Sequence, residues 1–159
     1  MNNQPPYYYE TEVDWINGRT CTLGAPGMPD IEITPPPEFQ GAVGSWTPEH
    51  LFVASVSSCY VTTFLAIAEL SKLEFAAISC GATGTLEKLE GSGFQVTEIT
   101  LRPTLVLHHI RDLERAGRIL EKAERNCLIS KSIKTVVRLK PQIEAIEIAA
   151  EIEAPVIVS

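Results

Sequence analysis

The stretch TPEHLFVASVSSCYVTTFLAIAELSK, residues 47–72, decides the fold. Thr47 can cap a helix with its hydroxyl, and Pro48 suits the first turn, where no backbone N–H is needed. Glu49 then sits where the helix dipole favours a carboxylate. From Leu51 to Ala68 there is no charge, and apolar residues fall on every side of the helix. A helix apolar all round is a buried helix. Near its middle is one thiol, Cys59, flanked by Ser57, Ser58, Thr62 and Thr63. The reading is a core helix that carries a cysteine.

The chain has 159 residues, the size of one ordinary domain. It is read as a single domain over residues 1–159, with residues 1–9 as a flexible or docking arm. Hydrophobic residues make up 45% of it, enough for a sizeable core. A net charge of −7 argues against general nucleic-acid binding. The opening MNNQPPYYYE lacks the basic and apolar regions of a signal peptide. Leu51–Ala68 is at the short end of membrane-spanning length and is interrupted by hydroxyl side chains, so a buried helix is expected rather than a span. The expected location is the cytoplasm, without a membrane or nucleic-acid partner. Cys21, Cys59, Cys80 and Cys127 form no CxxC pair and no zinc spacing. In a reducing compartment they are inert thiols or a redox pair.

Outward from the central helix, the pattern is mostly strand. Tyr9, Thr11, Val13 and Trp15 alternate with charged residues, Asn17-Gly18 is a strong hairpin signal, and Thr20–Leu23 reads as the returning strand. Ile31–Ile33 is a short strand. The prolines of TPPPEFQGAVGSW, residues 34–46, predict an extended loop that delivers the chain to the helix cap. After the helix, strand-like segments over 75–90 and the alternation of Ile99, Leu101, Leu105 and Leu107 predict a hairpin about Gly91-Ser92-Gly93. Residues 111–126 read as an amphipathic helix with Cys127 at its end. A second helix is expected over 128–139, then a last strand through Ile146, Ile148 and Ile152. The fold class is α+β, helices packed on a mostly antiparallel sheet.

Cys59 heads the candidates for chemistry. In an apolar helix a thiol is inert unless something stabilises the thiolate; from the residues alone, a small buried hydrophobe is the simpler reading. Cys127, beside Arg125 and Lys131, has the chemistry to resolve a sulfenic acid on Cys59, but alone it reads as structural. Arg19 follows a hairpin turn and by itself reads as a solvated cation. Glu49 is explained by the helix dipole. As functional groups, Arg19 would hold a thiolate and Glu49 would orient the guanidinium by a bidentate pair. Glu49 and Cys59 are ten residues apart, about 15 Å along an unbroken helix. One arginine hardly touches both in one subunit, which leaves a bent helix or a set assembled across a two-fold dimer. His50, His108 and His109 match no metal motif, and Cys21 and Cys80 read as bystanders.

PPEFQG followed by WTPEHLFVASVSSC resembles the OsmC/Ohr superfamily, the osmotically inducible protein C and organic hydroperoxide resistance proteins, in its OsmC-like branch. The likeness runs from about Val13 to the C-terminus. WINGR resembles the segment that supplies the family's arginine. The resemblance implies an intertwined α+β homodimer wrapped around two central helices. It implies a peroxidatic Cys59, a resolving Cys127, the carboxylate of Glu49 and the guanidinium of Arg19. The implied activity is reduction of organic hydroperoxides through a Cys59 sulfenic acid and a Cys59–Cys127 disulfide. An external dithiol, a dihydrolipoyl group or a lipoylated protein, would regenerate the thiols, with no bound cofactor and no metal. The family's second cysteine stands in a Cys-Pro-x-Ser context; here the sequence is Cys127-Leu128-Ile129-Ser130. Two other classes stand beside this one: a protein that binds an apolar ligand at the dimer interface with Cys59 non-catalytic, and a purely structural dimer.

Overall fold

Asn17-Gly18 does turn the chain. Gly18 has φ 51°, the left-handed region glycine enters at no steric cost, and its carbonyl accepts the Trp15 indole N–H at 3.1 Å. In this computed structural model, which describes residues 5–146, β1 (Glu12–Asn17) therefore pairs antiparallel with β2 (Thr20–Gly24), and β2 with β3 (Ile31–Ile33). β1 begins at Glu12, three residues later than the alternation from Tyr9 suggested. This sheet belongs to the first of two units, Met1–Phe52; the second is Val53–Ser159.

The proline-rich loop is less extended than expected. Pro37–Phe39 form a 3-10 turn, closed by Gln40 in the left-handed conformation at φ 67°. Gly41 follows because nothing larger fits: a Cβ there would lie 1.5 Å from the Pro35 carbonyl oxygen. Thr34 N–H donates to Trp46 O at 2.9 Å and closes the loop beside the helix start. Thr47 then caps α1 (Pro48–Leu70), its hydroxyl accepting the His50 N–H at 3.2 Å.

In the second unit, α1 buries one stripe, Val56, Tyr60, Phe64 and Ala68, at every fourth position. The expectation of burial on all sides is not met within one chain: Leu65 and Leu70 are 42% and 85% exposed. β4 (Phe75–Leu89) is one continuous strand and pairs antiparallel with β5 (Gly93–Leu107). Gly84 lets the sheet approach the helix, since a Cβ there would meet Val53 Cγ2 at 2.5 Å. The inward face of β5 supplies Ile99, Leu101, Leu105 and Leu107, all fully buried. α2 (Leu113–Asn126) adds Ala116, Leu120 and Ala123. Phe64 meets Phe75 edge-on at 5.5 Å, and the Tyr60 hydroxyl donates to Leu120 O at 3.4 Å.

After α2 the short helix expected over 128–139 ends earlier. α3 spans Leu128–Ser132, and Val136–Leu139 is strand β6, parallel to β5. The alternation of Val136 and Arg138 with Val137 and Leu139 fits a strand edge better than a helix face. β7 (Gln142–Ala145) pairs parallel further along β5. Of the expected last strand, Ile146 follows β7 and donates its N–H to Leu107 O, while Ile148 and Ile152 lie outside the described residues.

Candidate active site

Cys127 is the hinge residue between α2 and α3. Its φ of −62° and ψ of 118° break the helical run, while its N–H still donates to Glu124 O and its carbonyl accepts the Lys131 N–H. The turn points its side chain inward, where it is fully buried, with Sγ 4.0 Å from Val56 O on α1. Cys59 lies on the same side of α1, half-buried, and both cysteines are free thiols. The two thiols lie close enough for each to shift the titration of the other.

The surroundings of the two sulfurs differ. Burial pushes the Cys59 thiol up, but four partners outweigh it: the Ile129 N–H, the Cys127 thiol, the Leu128 N–H and the Thr63 hydroxyl. The balance holds Cys59 below the ordinary thiol range. Cys127 is pushed up, by burial first and by its neighbour Cys59, against the lowering influence of the Ser130 hydroxyl and N–H beside it. Ser130 Oγ itself is buried without a hydrogen-bond partner. The asymmetry favours the anion at Cys59 over the anion at Cys127. A thiol with a favoured anion beside a second thiol can attack an electrophile and then form a disulfide.

Arg19 and Glu49 lie together in the first unit. Both line a cavity of about 380 Å³ with Cys21, Ile33, Thr34 and Phe39. Arg19 leaves the β1–β2 turn and donates to Phe39 O at 2.6 Å. The bidentate Arg19–Glu49 pair anticipated from the sequence is not formed in this structure; no ion pair within 4.0 Å joins them among the described residues. Glu49 Oε2 is buried without a hydrogen-bond partner. Cys21, read as a bystander, shares this cavity.

Thr63, Leu128, Ile129 and Ser130 went unassigned at the level of sequence. Thr63 follows Cys59 by four residues, one helical turn, so its contact is a helix-face relationship legible in the spacing. The backbone donors of Leu128 and Ile129 carry no side-chain signal at all. His50 is satisfied by the Thr47 hydroxyl at 3.0 Å and by the edge of Trp46. Among the described residues, no group of His, Cys, Asp and Glu is placed to hold a metal ion. Cys80, on β4, is pushed up by burial despite the Arg102 N–H and guanidinium near it, and contacts Gly81 O.

A family model described as OsmC-like protein matches residues 40–142. The uncharacterized protein YmaD of Bacillus subtilis (strain 168) is 31% identical over 116 residues, covering 71% of this chain and 75% of the relative. Among solved structures, an OsmC-like protein of unknown function from Vibrio cholerae superposes with a TM-score of 0.78 at 24% identity, over 86% of this chain and 99% of its own. An organic hydroperoxide resistance protein from Elizabethkingia anophelis gives 0.72 at 21% identity, over 90% and 99%. These likenesses fix the fold as that of the OsmC/Ohr proteins.

Proposed function

Because the chain belongs to the family of OsmC-like proteins, whose fold it shares with organic hydroperoxide resistance proteins, we propose that it is a cysteine-based peroxidase acting on organic hydroperoxides. The observation that carries this reading is the pair of neighbouring, unlike thiols, Cys59 below the ordinary range and Cys127 above it. An apolar-ligand protein with a non-catalytic Cys59 has no need of a second thiol in contact with it.

In the proposed reaction the Cys59 thiolate attacks the distal oxygen of the hydroperoxide. The O–O bond breaks, the alkoxide takes a proton and leaves as the alcohol, and Cys59 becomes a sulfenic acid. The Cys127 sulfur then attacks the Cys59 sulfur. An S–S bond forms, and the sulfenic oxygen leaves as water with the thiol proton. An external dithiol reduces that disulfide by two exchange steps and is itself oxidised to a cyclic disulfide. A dihydrolipoyl group, free or carried on a protein, is the proposed reductant, and no bound cofactor or metal enters. The roles of Arg19, holding a thiolate, and of Glu49, orienting the guanidinium, rest on the resemblance of their sequence segments. A homodimer is proposed from the apolar surface of α1 left exposed at Leu65 and Leu70, and a cytoplasmic location from the reduced, unpaired thiols the reaction needs.

The test is peroxide consumption with cumene hydroperoxide and dihydrolipoamide, comparing wild type with Cys59→Ser. Dithiol-dependent loss of peroxide that vanishes in Cys59→Ser is expected; wild-type activity no higher than that of the variant rejects the peroxidase reading.

A further inference from the structure

We propose that Asn17-Gly18 is a self-modifying site: the Gly18 backbone nitrogen closes a succinimide on the Asn17 side chain, and the isoaspartate that follows frees Arg19 from Phe39. Asn17 pairs with Thr20, so Gly18 and Arg19 are the two residues of the β1–β2 turn. Gly18 is at φ 51° and Arg19 stays out of the left-handed region, the pattern of a II′ turn. The bond that closes such a turn joins its flanking residues and leaves the first central N–H unused. Among the described residues the Gly18 N–H makes no backbone hydrogen bond, and the Asn17 carboxamide has no partner. Asn17 is exposed, and a Cβ on Gly18 would meet nothing within 4 Å, so the nitrogen is unscreened. Asn126 is the opposite case. Its amide donates to Lys122 O at 2.8 Å, and the N–H that follows it, of Cys127, donates to Glu124 O at 3.1 Å.

The steps need only water. The Gly18 N–H gives up its proton to solvent, and the nitrogen attacks Asn17 Cγ. A C–N bond forms, the bond from Cγ to the amide nitrogen breaks, and ammonia leaves with a proton. Water then opens the ring at either carbonyl, giving aspartate or isoaspartate. Isoaspartate carries the main chain through the former side chain and adds one backbone atom. Turn type and loop length set the register of a hairpin. Arg19, which follows directly and donates to Phe39 O at 2.6 Å, is therefore displaced. The effect on catalysis rests on the role proposed for Arg19; the modification does not.

The experiment incubates the full-length reduced protein in heavy-oxygen water at mildly alkaline pH and then labels arginines briefly with phenylglyoxal. Chymotryptic peptides are read by mass spectrometry. Asn17 is expected to become an acid carrying one solvent oxygen, in two chromatographic forms, while Asn126 remains an amide. Asn17 and Arg19 lie together between Trp15 and Leu23, so both events are read on the same peptide. Arg19 is expected to label about fivefold faster on isoaspartyl molecules than on molecules that keep Asn17, the order of one lost hydrogen bond. An Asn17 amide that persists, or Asn126 converting at the same rate, overturns the proposed site. Equal labelling of Arg19 on the two forms overturns its release. No variant and no peroxide enter, so the result stands apart from misfolding and from any failure of the peroxidase reading.

Discussion

Cys59, in the middle of α1, and Cys127, at the break between α2 and α3, are close enough that each thiol shifts the titration of the other. Their environments pull them apart: the exposed side of the pair meets three further donors, and the buried member has the burial of its sulfur against it.

The first consequence is an order of reactivity. Cys59 alkylates faster than Cys80 and Cys127, whose thiols burial pushes up. The sign with pH follows from the thiolate being the nucleophile. A lowered value keeps Cys59 reactive below the pH at which an ordinary thiol has lost its anion, and reactivity disappears only as pH falls through that lowered value. Peptide-resolved alkylation rates check this; equal rates at Cys59 and Cys80 at neutral pH would contradict it.

Replacing Cys127 separates the two chemical steps. In Cys127→Ser the first peroxide still oxidises Cys59, but no disulfide can form. Cys59 is then expected to accumulate as sulfenic acid and, with excess peroxide, as sulfinic and sulfonic acids. Intact mass after peroxide treatment reads this directly. An unmodified Cys59 would show that Cys127 is needed for the attack itself.

The stripe on α1 should dominate stability. Phe64 is fully buried and stacks edge-on with Phe75 at 5.5 Å, so Phe64→Ala should cost about 3–5 kcal/mol in denaturant unfolding. At the helix start, Thr47→Ala loses the cap on the His50 N–H and should cost about 1 kcal/mol. A Phe64→Ala variant as stable as wild type would mean that the stripe is not the core.

The exposed apolar residues predict association. Leu65 and Leu70 on α1, and Val13 and Trp15 on β1, are each more than 40% exposed. A two-fold dimer is expected in sedimentation equilibrium, weakened by Leu65→Lys. A monomer at every concentration would remove the dimer from the account.

Much of the fold was legible because it rests on local pattern. The Thr47-Pro48-Glu49 start, the Asn17-Gly18 turn and the alternation through Ile99, Leu101, Leu105 and Leu107 each follow from short-range physics. What was not legible is long-range. Val136–Leu139 reads as strand only because β5 has a free edge there, a fact of pairing that no window of sequence contains. The thiol pair was legible only as two cysteines whose approach geometry alone could decide. Its donors were hidden for another reason: a backbone N–H is present at every residue except proline, so nothing in the letters Leu128 and Ile129 marks them. The Arg19–Glu49 pair was read only as what the two groups would form if functional, and the guanidinium's bond to the carbonyl of Phe39 is equally silent in sequence.

The central claim is that Cys59 and Cys127 form one redox unit driven by a hydroperoxide. It is tested most directly by mixing fully reduced protein with one equivalent of cumene hydroperoxide, without reductant, and mapping thiols and disulfides by non-reducing peptide mass spectrometry. The account predicts one equivalent of cumyl alcohol and a Cys59–Cys127 disulfide, with Cys21 and Cys80 still reduced. Peroxide left unconsumed with both thiols free, or a disulfide that excludes Cys59, would contradict it.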